Sequence, residues 1–320
     1  MTLPPRLETM DGVAPAVAIE LARAALGSDP VRAELQAREV LRVLPDDIRA
    51  LCVIGIARRL RADLAASRDL LTMIVARRPD YAPAQVECAV TLAALGEADG
   101  ALAAWRNAAR LRHPAQIDWL AAADELCISG AGAAAAAARA EHFRQLTANF
   151  DLLAAADALR ARRARDAEIM LKAQLKRVPD DAHALYLAAE TALLCGEWNE
   201  AERRVLRCLD IAPDLPDIRY RYARILFAKG DHAGAVEQVK ECSADRQASA
   251  AAAALMATCL MRARLPEPAV VLTAALVARY PWYARLWILH GQISRMIGRE
   301  QDVDAAFSRA RALRPDMALT

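Results

Sequence analysis

KAQLKRVPDDAHALYLAAETALLCGEWNEAERRVLRCLDIAP, residues 172–213, decides the fold. Lys176-Arg177-Val178 read as the end of one helix, which Pro179 cannot continue because it lacks the N–H and crowds the preceding turn. Asp180 and Asp181 follow, suited to cap a new helix where unpaired N–H groups and the positive dipole end meet a carboxylate. Leu185, Ala188, Ala189, Ala192 and Leu193 recur at helical spacing and make one apolar face. Gly196 then ends this helix with a left-handed turn, and the spacing predicts a second helix over 199–209 with Ala201, Val205, Cys208 and Leu209 turned inward. Pro213 closes the unit.

The unit repeats. The proline steps 45→79, 179→213 and 281→315 are each 34 residues, and 213→281 is twice that. Gly96→Gly130 and Gly196→Gly230 keep the same beat, with Gly230→Gly298 at 68. A 34-residue period is the signature of stacked helix–turn–helix units. Twelve residues before the closing proline stands a small residue: Ala33, Ser67, Ala167, Ala201, Ala235 and Ala269. Twenty-four before it stand Gly55, Ala155, Ala189, Ala223, Ala257 and Gly291, and eight before it large residues such as Leu71, Leu171, Val205 and Phe307. Trp105 holds that place in the third unit, where His113 replaces the proline and Pro114 follows. The chain therefore divides into about nine units, near 14–47, 48–81, 82–115, 116–147, 148–181, 182–215, 216–249, 250–283 and 284–317. The fourth is two residues short, and the seventh has Asp245-Arg246-Gln247 where a proline is expected. No Gly/Ser/Pro-rich linker interrupts them, so 14–317 is expected to be one continuous all-α solenoid, with tails at 1–13 and 318–320.

Composition narrows the chemistry. Alanine supplies much of the apolar content, in runs such as 133–138 and 250–254, which suits close helix packing. A formal net charge of +2 offers no long-range attraction to nucleic acid or an anionic membrane. None of the seven cysteines forms a C-x-x-C pair, and they read as small buried hydrophobes in a reducing compartment. The five histidines show no H-E-x-x-H spacing, so no metal is expected. Phosphate-loop and dinucleotide motifs are absent, and Gly130-Ala131-Gly132 suits a helix–helix turn, so neither a cofactor nor catalysis is expected. Asp46-Asp47 and Asp180-Asp181 read as helix caps, and Arg160, Arg162, Arg163 and Arg165 as a solvated turn. The N-terminus is unlike a signal peptide and the stretch 248–261 is too short to span a bilayer, so the expected location is the cytoplasm.

The slots match the tetratricopeptide repeat pattern. Trp119 and Trp287 stand at its Trp position, and Ile54-Gly55 and His290-Gly291 at its Leu-Gly pair. Residues 151–230 and 280–315 further resemble the repeat region that precedes the catalytic domain in bacterial tetratricopeptide-repeat sulfotransferases. That family's Pro-Arg-Ser-Gly-Thr-Thr phosphate loop is missing here, so the likeness implies context and not activity.

The resemblance implies a right-handed superhelix with the first helix of each unit lining its inside. Residues there that would point away from the core are His183, Tyr186 and Glu190, then Asp217, Tyr220, Arg224 and Phe227, then Arg285, Gln292 and Arg295. Tyr and Arg are frequent anchors of protein interfaces. The expected function is a protein–protein interaction scaffold holding a peptide or partner domain on that concave face. A second reading is the regulatory or substrate-presenting arm of a sulfotransferase. A third, an RNA-binding repeat protein, is disfavoured by the near-zero net charge. The last helix, 305–313, is expected to expose apolar residues such as Leu313 and to promote self-association.

Overall fold

The computed structural model describes residues 14–111, 117–147, 149–215, 217–242, 247 and 249–317. The degenerate closings at His113-Pro114 and Asp245-Arg246 and both tails lie outside the described residues. Among the described residues there are eighteen helices and no strand. The helices run α1 Pro15–Ala25, α2 Pro30–Val43, α3 Ile48–Leu60, α4 Leu64–Arg77, α5 Ala82–Leu95, α6 Ala98–Arg110, α7 Trp119–Ile128, α8 Gly132–Leu146 and α9 Phe150–Arg160. Then come α10 Ala164–Arg177, α11 Ala182–Cys195, α12 Trp198–Ile211, α13 Ile218–Lys229, α14 His232–Lys240, α15 Ala250–Arg262, α16 Pro266–Arg279, α17 Ala284–Met296 and α18 Glu300–Leu313. The second helix of the opening stretch is therefore longer than its apolar spacing predicts, at 198–211.

The periodic prolines end helices by constraining the residue before them. Pro45, Pro79, Pro179, Pro213, Pro281 and Pro315 each lie two residues past a helix end. The intervening cap residue is extended every time, with φ between −126° and −142° and ψ between 61° and 88°. Steric conflict with the proline ring removes the helical conformation there.

The turn inside each hairpin has its own slot. Positive φ occurs at Gly96, Gly130, Gly196, Gly230 and Gly298, and at the same beat at Ala62, Arg162 and Arg264. Three repeats thus hold a side chain where the backbone favours glycine.

The small-residue slots are where the two helices cross. Ala33, Ser67, Ala167, Ala201, Ala235 and Ala269 are all fully buried. A Cβ on Gly55 would sit 2.9 Å from Leu71, and one on Gly291 would sit 3.1 Å from Phe307. The glycine and the large residue sixteen positions on therefore pack directly against each other, which explains their pairing in the repeat. Fully burying a side chain such as Leu71 or Leu171 contributes about 1.5–3 kcal/mol.

Two compact units are present: Met1–Leu92 with Ala103–Gln116, and Ala93–Leu102 with Ile117–Thr320. In the first, consecutive helices α1 to α4 pack in order around Ile19, Ala33, Val40, Val53 and Ile54. In the second, α7 to α14 pack in order, as do α15 to α18, and α14 packs on α15. The second unit adds a contact that the repeat pattern does not show. Helix α7 packs against α15, more than a hundred residues further along the chain.

The expectation of an apolar C-terminal end is corrected. Leu313 is only 6% exposed, and Val303, Ala306, Ala310 and Leu313 form one buried stripe on α18, which packs on α17. The outward face of α18 presents Gln301, Asp304, Ser308 and Arg311, and no large hydrophobic of 300–317 is exposed. Exposed large hydrophobics cluster instead on the first helix pair, at Val17, Leu21, Val31, Leu35 and Val43.

Candidate functional site

Helices α7 and α15, which pack on each other, both line a half-open cavity of about 790 Å³ in the second unit. Its walls are the inner faces of first-position helices. Tyr220, Arg224, Phe227 and Ala228 come from α13, spaced to share one helix face. Ala251, Ala254, Leu255 and Thr258 come from α15 with i, i+3, i+4, i+7 spacing, and Arg285, Leu289 and Gln292 from α17. Cys127 and Ile128 of α7, Gly132 and Ala133 of α8, Leu193 and Leu194 of α11, Trp198 of α12, Leu286 and Ile288 of α17 and Met317 complete the lining.

Local signals fix these walls. Asp181 caps α11 by accepting from Ala184 N–H, and Gly196 closes it in the left-handed conformation. Ser249 caps α15 by accepting from Ala252 N–H. Gly230, at φ 89°, ends α13. Gly130, at φ 90°, makes the turn after α7 and leaves space that the Arg285 guanidinium fills from α17.

Behind the α13 wall lies a buried ionic cluster. Arg139 of α8 donates from Nε and Nη2 to Glu190 Oε1 of α11, at 3.0 and 2.8 Å. Arg221 of α13 donates from Nη1 to Glu190 Oε2. Arg224 Nη1 lies 3.6 Å from the same oxygen, an ion pair without a hydrogen bond. Asp217 Oδ2 stands 4.0 Å from Arg221 Nε. The Arg221 guanidinium also covers the Tyr186 ring at 3.7 Å, a cation–π contact, and the Phe143 ring lies nearly parallel to Tyr186 at 6.1 Å. Burial alone would raise the Glu190 carboxyl, but Arg139, Arg221 and Arg224 outweigh it and hold it well below the usual carboxylate range. Burial likewise would lower Arg139 and Arg221, and Glu190 holds both above their usual range. Glu190, Arg139 and Arg221 are therefore charged at neutral pH.

The structure sorts the ten residues singled out from sequence. Tyr220, Arg224, Phe227, Arg285 and Gln292 meet around the cavity. Tyr186, Glu190 and Tyr220 are 3%, 2% and 2% exposed, so the expectation that they point away from the core is corrected: Arg221 covers the Tyr186 ring, Arg139 and Arg221 hold Glu190, and Tyr220 borders the cavity while almost fully covered. His183 is half-buried against Phe143 at 5.6 Å, and Asp217 starts α13 with its side chain buried against Arg221. Arg295 turns to the outer side of α17 and lies over the Phe307 ring at 4.9 Å. Sequence reasoning missed Arg139, although it is the one cation in a run of buried alanines, Ala134 to Ala138 and Ala140. An arginine in such a run needs a buried counter-ion.

Other candidates resolve into local structure. Asp47 caps α3, while Asp46 and Asp180 pair with Arg77 and Arg207. Arg160, Arg162 and Arg163 pair with Asp157, Asp99 and Asp166. All seven cysteines are free thiols, and burial pushes Cys52 and Cys259 up to about 12. Among the described residues no group of three His, Cys, Asp or Glu side chains is placed to hold a metal ion. No described helix is long and apolar enough to cross a membrane.

Residues 207–259 match the tetratricopeptide repeat family model. No curated protein matches the chain. Among solved structures, MamA from Desulfovibrio magneticus RS-1 is 18% identical, covering 55% of this chain and 94% of its own, at a TM-score of 0.45. A tetratricopeptide repeat protein from Parabacteroides merdae is 15% identical over 92% of this chain and 98% of its own, also at 0.45. YrrB, described as a tetratricopeptide repeat protein with an unusual peptide-binding site, is 14% identical over 78% and 94%, at 0.41. Scores below 0.5 carry no argument about this chain, and nothing among these likenesses links it to sulfotransferases. The chain is an all-α helical-repeat protein that carries tetratricopeptide repeat sequence at residues 207–259.

Proposed function

We propose that the protein is an interaction scaffold that holds a peptide or a segment of a partner protein in the cavity of its second unit. One observation carries this reading: inner faces of α7, α11, α13, α15 and α17 converge on one preformed, largely apolar cavity. At about 790 Å³ it lies in the range of ligand-binding clefts and has room for several side chains. A rigid, preformed wall lowers the ordering cost of binding. Tyr220, Arg224, Phe227, Arg285 and Gln292 are the proposed contacts, with Trp198 and Leu255 added from the lining. His183, Tyr186, Glu190 and Asp217 act from behind the wall, and Arg295 stands apart from it. The proposal takes 14–317 as one array of repeats between two tails, supported by a 34-residue period that only the fourth unit, two residues short, departs from.

Selection of a randomised displayed peptide library on the full chain tests the reading. Ala254→Trp places a large ring on the cavity face of α15. Peptides selected by the wild type are expected to lose binding to this variant. Retained binding would move the site off the cavity.

A further inference from the structure

We infer that the cavity of the second unit selects an apolar peptide segment with an internal Asp or Glu side chain, which docks on Arg224 and Arg285; this rests on the proposed scaffold function.

The argument is charge complementarity. Two of the lining residues are cationic, Arg224 and Arg285, and none of the described lining residues is acidic. Arg285 is exposed and no ion pair engages it among the described residues. Arg224 belongs to the buried cluster, but it is the member left with the weakest hold. Glu190 gives both oxygens to hydrogen bonds from Arg139 and Arg221, and Arg224 stands outside at 3.6 Å. The ion-paired set holds three guanidiniums, Arg139, Arg221 and Arg224, against two carboxylates, Glu190 and Asp217. Among the described residues it is one anion short.

Nor is Arg224 a surface arginine with its head in water. Its side chain is 22% exposed, and Nη1 is buried on the Glu190 side, 3.6 Å from Oε2, so an arriving carboxylate meets the part of the side chain that lines the cavity. Guanidinium and carboxylate make short, charge-assisted hydrogen bonds, and a guanidinium presents its donors in the geometry a carboxylate needs.

Apolar wall on both sides of Arg224 argues for an acid within the peptide instead of at its end. Phe227 lies one turn after it on α13, and the half-buried Leu255 and Leu289 line the cavity from α15 and α17. Residues flanking the acid on either side thus have apolar surface to bury.

The test uses peptides recovered by the full chain from a randomised displayed library. The expected result is recovery of peptides with an internal Asp or Glu between apolar residues. Changing that acid to Asn or Gln should weaken binding to the wild-type protein by about ten- to a hundredfold, the scale of a charge-assisted hydrogen bond. Arg224→Gln should abolish the preference for Glu over Gln, and Arg224→Lys should restore part of it. The Glu-to-Gln comparison on the wild type needs no variant to fold. Recovered peptides without an enriched acid, or with equal affinity as Glu and Gln forms, would overturn the inference while Ala254→Trp still registers the cavity. Loss of binding on amidating the peptide's end, with Glu and Gln equivalent, would place the anion at a free C-terminus and also overturn it. Binding indifferent to Ala254→Trp would sink both the inference and the scaffold reading.

Discussion

Glu190→Gln is the sharpest perturbation of the second unit. The carboxylate is 2% exposed and is shared by Arg139, Arg221 and Arg224 from two other helices. Glutamine keeps the shape and one acceptor oxygen but removes the charge, leaving three guanidiniums with only Asp217 among them. Removing one partner of a buried ion pair costs about 3–5 kcal/mol, because the remaining charge stays buried and unpaired. Asp180→Asn supplies the contrast. It removes the partner of Arg207 in a pair whose side chains are 58% and 54% exposed, and such pairs contribute at most about 1 kcal/mol. Urea unfolding followed by far-ultraviolet circular dichroism compares the two, with amide exchange in α8, α11 and α13 to localise the loss. With a urea slope of roughly 1–3 kcal/mol per molar, the Glu190→Gln midpoint should fall by about 1 M or more. A midpoint as little changed as that of Asp180→Asn would refute the account of the cluster. Replacing Arg139, Glu190 and Arg221 together by apolar residues of similar size should recover much of the loss, since the ionic cluster is not required for stability as such. The pH sign follows from the lowered Glu190 carboxyl. Its contribution is complete above the unfolded value near 4.3 and is lost only as pH falls below that, towards the folded value. The cluster should therefore persist throughout the mildly acidic range.

The left-handed turn slot gives a second prediction. Arg264, at φ 61°, should be replaceable by Gly with a gain of about 0.5–1 kcal/mol in thermal unfolding, whereas Gly196→Ala should lose about 1 kcal/mol, because its Cβ would meet nothing within 4 Å and only backbone strain counts. Gly55→Ala should cost about 1–3 kcal/mol in the same assay, since the new methyl meets Leu71 at 2.9 Å, while Gly27→Ala, facing open space, should cost nothing measurable. Burial holds His290 below its usual range, and its Nδ1 lies 2.9 Å from Thr273 Oγ1. The neutral ring is favoured in the folded state, so stability is complete above the unfolded value near 6.5 and declines as pH falls below it. The melting temperature should therefore drop between about pH 7 and 5 more steeply in the wild type than in His290→Gln, with His142, also held low by burial, contributing the remainder. Equal slopes in the two proteins would remove His290 from this account.

What was legible in the sequence is what repeats. Pro179 and Gly196 set the hairpin because each forbids or permits a backbone conformation locally, and Gly55 with Leu71 and Gly291 with Phe307 recur because two adjacent helices must cross closely in every unit. Half of the candidate residues reached the cavity by the same logic, since helical spacing places Tyr220, Arg224 and Phe227 on one face. The chemistry of the site escaped this reading because it does not recur. Glu190 meets Arg139 51 residues back and Arg221 31 residues on, and neither distance is the period. The packing of α7 on α15 depends on the accumulated twist of all the units between them, one of them two residues short, and no single slot encodes that sum. The same reasoning explains why Leu313 misled: a repeat pattern marks the inward stripe of the last helix, but whether the outward face is polar is settled by Gln301, Asp304, Ser308 and Arg311, residues that belong to no slot. The proposed site accordingly draws its chemistry from residues outside the period. The wall is built from conserved spacing within the chain, and the charge that would choose a partner comes from single residues inserted into it.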